Sequence, residues 1–126
     1  MPDPTLGLDS CSMRVIDEAR VSAARAQLLP DGEIERLAQL FRLLGDPTRT
    51  RLLYALLEAG ELCVCDLAAA SETPETNVSH ALRLLRTAGI VKARRDGRMM
   101  HYSLDDAHVR MLLDLSRDHL RHAGKE

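Results

Sequence analysis

Residues 64–104 carry the pattern that most restricts how this chain can fold. The spacing of apolar residues predicts a short helix at about 64–70, a turn at 71–74 and a second helix at about 74–88. A β-hairpin should follow, because apolar and basic residues alternate on both sides of the two-residue turn signal Asp96-Gly97. Helix, turn, helix and basic hairpin in this order predict a winged helix-turn-helix, in which the second helix enters the DNA major groove.

The second of these helices has two distinct faces. Thr73 is the expected N-cap, Pro74 takes the first helical position and Gly89 ends the helix. The apolar face has residues three and four positions apart, namely Val78, Ala81, Leu82 and Leu85. The other face offers donors and acceptors of the size that contacts base edges or phosphates, namely Glu75, Thr76, Asn77, Ser79, His80, Arg83 and Arg86.

Positive charge is concentrated in the same region. Residues 78–103 have a net charge of +5, whereas residues 1–46 and 47–77 each carry −3 and the whole chain −2. The basic residues of this segment are Arg83, Arg86, Lys92, Arg94, Arg95 and Arg98. A basic segment within an acidic chain is the footprint expected for double-stranded DNA, and the alternative is a solvated charged face without a partner.

Length and composition indicate one mainly helical domain. We expect residues 1–12 to form a flexible N-terminal arm and residues 13–126 to form the domain. Aromatic residues are only 2% of the chain, so the core must be built from Leu, Val, Ala and Met, which favours helices with one small hairpin. No apolar run approaches a membrane span, no signal-peptide layout opens the chain, and three cysteines suit a reducing cytoplasm.

The remaining helices are predicted from periodicity and caps. Residues 13–28 are weakly helical, and a helix ending at Gly45 has the apolar face Ile34, Leu37, Ala38, Phe41 and Leu44. Asp46 and Pro47 then supply an N-cap and a first helical residue. The helix that they start should bury Leu52, Leu53, Leu56 and Leu57. A last helix is expected at about 105–122.

Two cysteines near the predicted helix-turn-helix suggest a binding site for soft metals. Cys63 and Cys65 lie beside Asp66, and a helix starting near Val64 would place Cys63 at its positive end, where a thiolate is favoured. With Cys11 they would form a thiolate-rich site suited to Cd(II), Pb(II), Zn(II) or As(III). Two alternatives remain open: the pair are small buried hydrophobes, or they form a redox or persulfide switch that releases DNA.

The last helix carries a second set of metal-ligand residues. Asp106 and His108 open it, and His119 and His122, three positions apart, close it. His108 and His119 are eleven residues apart, roughly 16 Å along the axis, so no single ion bridges them within one helix.

A second copy of the helix, packed antiparallel, would join the two ends. Each dimer would then hold two Asp-His-His-His sets, tetrahedral sites suited to Zn(II) or Co(II), with Leu112 and Leu115 in the seam. The alternative is that these histidines face solvent near a frayed end and that Asp106 is only an N-cap. We expect His80 and His101 to lie on DNA-facing surfaces.

The chain resembles the ArsR/SmtB family of metal-sensing repressors, most closely the CadC/SmtB branch, from about Cys11 to His122. The resemblance rests on five motifs: Leu44-Gly45-Asp46-Pro47-Thr48-Arg49, Glu61-Leu62-Cys63-Val64-Cys65-Asp66, Asn77-Val78-Ser79-His80-Ala81-Leu82-Arg83, Asp96-Gly97-Arg98 with His101-Tyr102, and the last helix's Asp-x-His and His-x-x-His. The second and the last are specific to the metal-sensing branch.

The resemblance implies a homodimer formed through the N- and C-terminal helices. The apo dimer would bind an inverted-repeat operator in its own promoter, and metal binding would release it and derepress efflux or resistance genes. The family's thiolate site corresponds to Cys11 of one protomer with Cys63 and Cys65 of the other. Its C-terminal interfacial site corresponds to the aspartate and three histidines of the last helix, Asp106, His108, His119 and His122.

The chain departs from the family at one position. Close cadmium- and lead-sensing relatives have a second arm cysteine where this chain has Val15, so the fourth ligand is Asp66, Asp17 or water. Three thiolates suit Pb(II), Bi(III) or As(III), whereas Zn(II) and Cd(II) require a fourth donor. No organic cofactor is implied. An enzyme or a metal buffer is disfavoured, because the sequence has neither a phosphate-cradling loop nor a nucleophile elbow.

Overall fold

A computed structural model describes residues 16–124. The predicted arm and its Cys11 therefore lie outside the described residues. Contacts divide the chain into two compact units, residues 1–36 and 37–126. The elements in chain order are α1 (Glu18–Ala26), α2 (Asp31–Leu44), α3 (Pro47–Ala59), β1 (Leu62–Cys63), α4 (Val64–Ser71), α5 (Glu75–Thr87), β2 (Val91–Asp96), β3 (Met99–Leu104) and α6 (Ala107–Ala123).

The first unit contains α1 and the start of α2. The Asp17 carboxylate caps α1 by accepting a 3.0 Å hydrogen bond from the main-chain N–H of Arg20, and the two side chains also form an ion pair. No residue of α1 is buried.

The core of the second unit lies among α3, α4 and α5. The predicted apolar face of α5 is buried as expected, and on α3 Leu52, Leu53 and Leu56 are buried while Leu57 is half-buried. On α2 the residues packed against this core are Leu40, Leu43 and Leu44. Ile34, Leu37 and Phe41, which we expected on the apolar face of α2, are exposed. The amphipathic face of α2 therefore does not become buried within the described chain.

The junction between α2 and α3 supplies hydrogen-bond partners for main-chain groups that have none within either helix. The Asp46 carboxylate accepts from the N–H of Arg49 at 3.0 Å, which confirms the predicted N-cap. Arg49 Nε donates to the carbonyl of Leu43 at 2.8 Å, and Thr50 Oγ1 donates to that of Leu44 at 2.8 Å. The motif after Gly45 thus holds two helices at a fixed junction.

The sheet has three antiparallel strands in the order β1-β3-β2. The predicted hairpin is present, but Asp96 pairs with Met99, so its turn is Gly97-Arg98 and not Asp96-Gly97. Gly97 has a φ of +61°, which glycine adopts without the steric cost that other residues meet. Strand β1 was not predicted; it consists of two residues that pair with Tyr102 and His101 of β3.

The start of α5 differs from the prediction. Pro74 is the N-cap, and no side chain caps the helix. Thr73, the expected cap, is buried, and its hydroxyl donates to the carbonyl of Ser71 at 3.1 Å. The Thr73 side chain thus stabilises the turn after α4. Because Pro74 has no N–H, the N-cap position leaves no main-chain donor without an acceptor.

The last helix begins where Asp106 caps it by accepting from the N–H of Val109 at 3.0 Å. Its Leu113 is buried against the core, and Arg117 forms ion pairs with Glu58 of α3 and with Asp114 of its own helix. Within residues 16–124, no helix is both long and apolar enough to span a membrane.

Candidate DNA interface and metal sites

One face of α5 is entirely solvent-exposed. Thr87 is exposed, and so are all seven polar residues expected on this face: Glu75, Thr76, Asn77, Ser79, His80, Arg83 and Arg86. The opposite face is buried and fixes the rotation of the helix about its axis. Because α4 and the three-residue turn precede it, α5 occupies the position of the reading helix in a helix-turn-helix.

The hairpin presents four exposed cations, Lys92, Arg94, Arg95 and Arg98, as expected. Arg94 differs from the others because its guanidinium binds both oxygens of Glu61, with distances of 2.6 Å to Oε1 and 3.2 Å to Oε2. This hydrogen bond lowers the pKa of Glu61 below its ordinary value. Within residues 16–124 the other three cations form no ion pair, so they remain available to phosphates.

The cysteine pair lies where β1 meets α4. Cys63 is the N-cap of α4, as the expected helix start near Val64 required, and it is 5% exposed. Every other buried apolar residue within the described chain belongs to one contiguous core, and Cys63 does not. Cys65 is exposed, so it is not a buried hydrophobe.

The Cys65 thiol faces the first residue of the reading helix. Interaction with the Glu75 carboxylate raises the pKa of Cys65, because ionising the thiol would place two negative charges together. The protonated thiol can instead donate to this carboxylate.

The aspartate and histidines predicted as metal ligands lie in two separate groups, called half-sites below, at the two ends of α6. At one end, Nδ1 of His108 lies 3.6 Å from Oδ2 of Asp106, and the two side chains are 92% and 50% exposed. The hydrogen bond from the N–H of Val109, followed by the interaction with His108, lowers the pKa of Asp106. At the other end, His119 and His122 line a shallow pocket with Leu115, Asp118 and Arg121.

Neither half-site holds a complete ligand set. Within residues 16–124 no cluster of three or more histidine, cysteine or acidic side chains is close enough to hold a metal ion. The donors themselves fit a metal, because imidazole and carboxylate are ligands that Zn(II) accepts. A complete site requires donors from outside this part of one chain.

Sequence reasoning missed two contacts. The Glu61–Arg94 pair joins residues 33 positions apart, and the Cys65–Glu75 contact joins two helices. Only the strand register and the helix packing bring these residues together. The one available signal was the run of basic residues in the hairpin, which offers partners for an acidic residue such as Glu61.

The buried and exposed faces of α5 together with the basic hairpin define a winged helix-turn-helix DNA-binding protein. Residues 46–93 match the family profile described as "Bacterial regulatory protein, arsR family". The chain is 40% identical over 113 residues to the cadmium resistance transcriptional regulatory protein CadC homolog of Staphylococcus aureus, covering 90% of this chain and 93% of that one. It is 41% identical over 111 residues to the transcriptional repressor SmtB homolog of Synechocystis sp., covering 88% and 83%.

Among solved structures, the fold is similar to the crystal structure of the AntR antimony-specific transcriptional repressor. The TM-score is 0.71 at 36% identity, covering 79% of this chain and 90% of that one. The chain belongs to the ArsR family. It is therefore a transcriptional regulator with a DNA-binding role.

Proposed function

We propose that the protein is a metal-released repressor. The apo dimer binds an inverted-repeat operator, and metal binding weakens this complex so that efflux or resistance genes are expressed. The observation that carries the proposal is the division of the α6 ligands into two incomplete, exposed half-sites. The names of the similar proteins, a cadmium resistance regulator and an antimony-specific repressor, support a metal as the effector.

Exposed apolar side chains on α6 support a dimer through this helix. Met111, Leu115 and Leu120 are 59%, 63% and 71% exposed, although water-facing positions of a helix favour polar residues. A second α6 packed antiparallel would cover them and bring Asp106 and His108 of one chain to His119 and His122 of the other. Two sites of one aspartate and three histidines result, which suit Zn(II) or Co(II).

The thiolate site is the second regulatory position in this proposal. Cys63 and Cys65 together with Cys11 of the other protomer bind soft ions such as Cd(II) or Pb(II). The support is the position of the pair: Cys63 caps α4, and Cys65 faces Glu75 of the reading helix. Metal entry there changes the charge next to the surface that contacts DNA.

The DNA contacts follow from the exposed residues of α5 and the hairpin. The exposed residues proposed to contact base edges are Thr76, Asn77, Ser79 and His80. Six cations neutralise phosphates: Arg83, Arg86, Lys92, Arg94, Arg95 and Arg98. Of these, Arg94 contributes least, because Glu61 already neutralises it.

A thiol redox switch is the competing function. Its reactive species is the thiolate, and Glu75 raises the pKa of Cys65, which lowers the thiolate fraction at neutral pH. The thiolate is also the form that binds metal, so the raised pKa of Cys65 opposes both functions, and the metal and oxidant arms of the test distinguish them.

The test is fluorescence anisotropy with a labelled duplex from upstream of the protein's own gene. Apo protein in metal-free reducing buffer is titrated with Zn(II), Cd(II) or Pb(II), and chelator is added last. Loss of anisotropy on metal addition and its recovery with chelator support the proposal. If an oxidant releases the DNA, dithiothreitol restores it and no metal has an effect, the redox function replaces it.

A further inference from the structure

Glu61 lies beside a group of basic side chains on one face of the hairpin. Lys92 and Arg94 are two residues apart on β2, so their side chains point to the same face of the sheet. His101 of β3 pairs directly with Arg94, which places its imidazole on that face as well. The hydrogen bond from Arg94 lowers the pKa of Glu61 most, and the charges of Arg94, His101 and Lys92 lower it further. One carboxylate therefore lies among three basic side chains.

The contact between Glu61 and Arg94 has the geometry of an arginine bound to a phosphate. Nη2 of Arg94 donates to Oε1 of Glu61 at 2.6 Å, and Nε donates to Oε2 at 3.2 Å. Two parallel N–H···O bonds of this kind are the way in which arginine binds carboxylates and phosphates alike. The Glu61 carboxylate thus occupies the same two donors that a DNA phosphate would use.

The pair reduces what Arg94 can contribute to DNA binding, although it is exposed. The side chains of Arg94 and Glu61 are 56% and 37% exposed, so water screens the pair. A phosphate that displaced the carboxylate would leave Glu61 unpaired in the negative potential of DNA, and their repulsion would offset the new contact. Arg94 therefore adds little net attraction to DNA while Glu61 is ionised.

We propose that Glu61 competes with DNA phosphate for Arg94 and that this internal contact lowers the affinity of the protein for every duplex. The inference rests on the proposed function, since it takes the hairpin to contact the DNA backbone. Phosphate contacts carry no sequence information, so the effect is the same for an operator and for unrelated DNA. Glu61 sets how tightly the apo protein binds and not which sequence it prefers.

A limit on DNA affinity makes the complex easier to release. An effector changes DNA affinity only by its coupling to the DNA site, typically 5–150-fold. An additional phosphate contact would strengthen the complex that the same coupling has to weaken, and a larger share of the operator would stay occupied. Glu61 thus keeps the operator complex within the range that an effector can dissociate.

The test measures DNA affinity without metal for Glu61→Gln, Arg94→Gln and the double variant. Anisotropy titrations use the duplex from upstream of the protein's own gene and a scrambled duplex of the same length and composition. Glu61→Gln should bind both duplexes more tightly than the parent does. Its slope of log affinity against log salt should be steeper by about 0.9, the value for one added phosphate contact. The ratio of its affinity to that of the parent should fall about 3.5-fold between roughly 50 and 200 mM salt. In the Arg94→Gln protein, the same change at Glu61 should leave the slope unchanged.

Asp96→Asn is the matched control for net charge. Asp96 lies two positions along β2 from Arg94, on the same face, and within residues 16–124 it forms no ion pair. This substitution removes one negative charge without freeing Arg94, so the slope should change much less. Equal gains for Asp96→Asn and Glu61→Gln would overturn the inference, and so would a gain from Glu61→Gln that persists without Arg94. Either result would show that Glu61 acts only through net charge.

Arg95→Gln separates this inference from the proposed function. If Arg95→Gln leaves the slope unchanged, the hairpin does not contact phosphates, and that part of the proposed function is wrong. If Arg95→Gln makes the slope shallower and Glu61→Gln does not make it steeper, only the role of Glu61 is wrong. Circular dichroism confirms that each variant is folded.

Discussion

The hydroxyl of Tyr54 donates a 2.7 Å hydrogen bond to the main-chain carbonyl of Leu113, joining the middle of α3 to the middle of α6. The guanidinium of Arg117 lies 5.8 Å from the centre of the same tyrosine ring and binds Glu58 at 2.9 Å. One face of α6 is therefore attached to the helix-turn-helix unit, while its exposed leucines and histidines remain available to another chain. A change at the proposed dimer seam can reach α3 through these contacts.

Replacing Tyr54 with Phe should destabilise the protein, because the Leu113 carbonyl loses its side-chain donor. The expected loss is about 0.5–1.5 kcal/mol in the free energy of unfolding, measured by urea denaturation followed by circular dichroism. Tyr102→Phe is the matched control, since the Tyr102 hydroxyl makes no hydrogen bond within residues 16–124. Equal losses for the two variants would contradict this role for Tyr54.

Removing a free hairpin cation should reduce the salt dependence of DNA binding. For Arg95→Gln we expect the slope of log affinity against log salt to become shallower by about 0.9, the value for one lost phosphate contact. Arg94→Gln should change the slope much less, because Glu61 already holds that guanidinium. Anisotropy titrations at several salt concentrations measure both slopes. Identical slopes for the two variants would show that the ion pair with Glu61 does not keep Arg94 from contacting phosphates.

Replacing His119 with Ala should abolish the release of DNA by Zn(II) and leave apo DNA affinity unchanged, because the residue lies on α6, outside the proposed DNA-binding surface. Asp118→Asn is the control, since Asp118 lines the same pocket but is outside the predicted ligand set. Typical allosteric coupling of about 1–3 kcal/mol corresponds to a 5–150-fold change in DNA affinity. A His119→Ala protein that responds to zinc as the parent does would exclude the C-terminal site as the regulatory one.

The Glu61–Arg94 pair should contribute to stability in a defined pH range. Arg94 lowers the pKa of Glu61, so the ionised pair stabilises the folded state above the ordinary value of 4.5. This contribution should be lost as the pH falls through the lowered folded-state pKa. Urea midpoints from pH 7 to pH 3 should therefore fall more steeply for the parent than for Glu61→Gln. Parallel curves would show that the exposed pair has no measurable effect.

Local sequence patterns were sufficient to predict the helices and the composition of the α5 faces. Val78 and Leu82 recur at helical spacing, and Asp46 has the chemistry that an N-cap needs, so both predictions depend only on near neighbours. The surroundings of Cys63 and Cys65 could not be predicted in this way, because β1 is a two-residue strand that exists only by pairing with β3. The partner of the apolar face of α2 could not be predicted either, because periodicity shows which residues share a face but not what covers it.

The start of α5 and the hairpin tip show how small differences in backbone geometry shift a predicted role by one residue. Thr73 has the right chemistry for an N-cap, yet its hydroxyl turns back to Ser71. Gly97 was placed second in the turn, and the register puts it first. The spacing of the histidines along α6 is visible in the sequence, whereas the proposed joining of the two groups through a second chain stays a prediction.

The outer position of β2 in the sheet has a consequence for solubility. Within the described residues its far edge pairs with no strand, and an open edge can recruit the edge of another molecule into a growing sheet. Lys92, Arg94 and Arg95 make such stacking unfavourable, because two copies would bring like charges together. The cations proposed to bind phosphate thus also protect the free protein from aggregation, and replacing several of them with apolar residues would remove both properties.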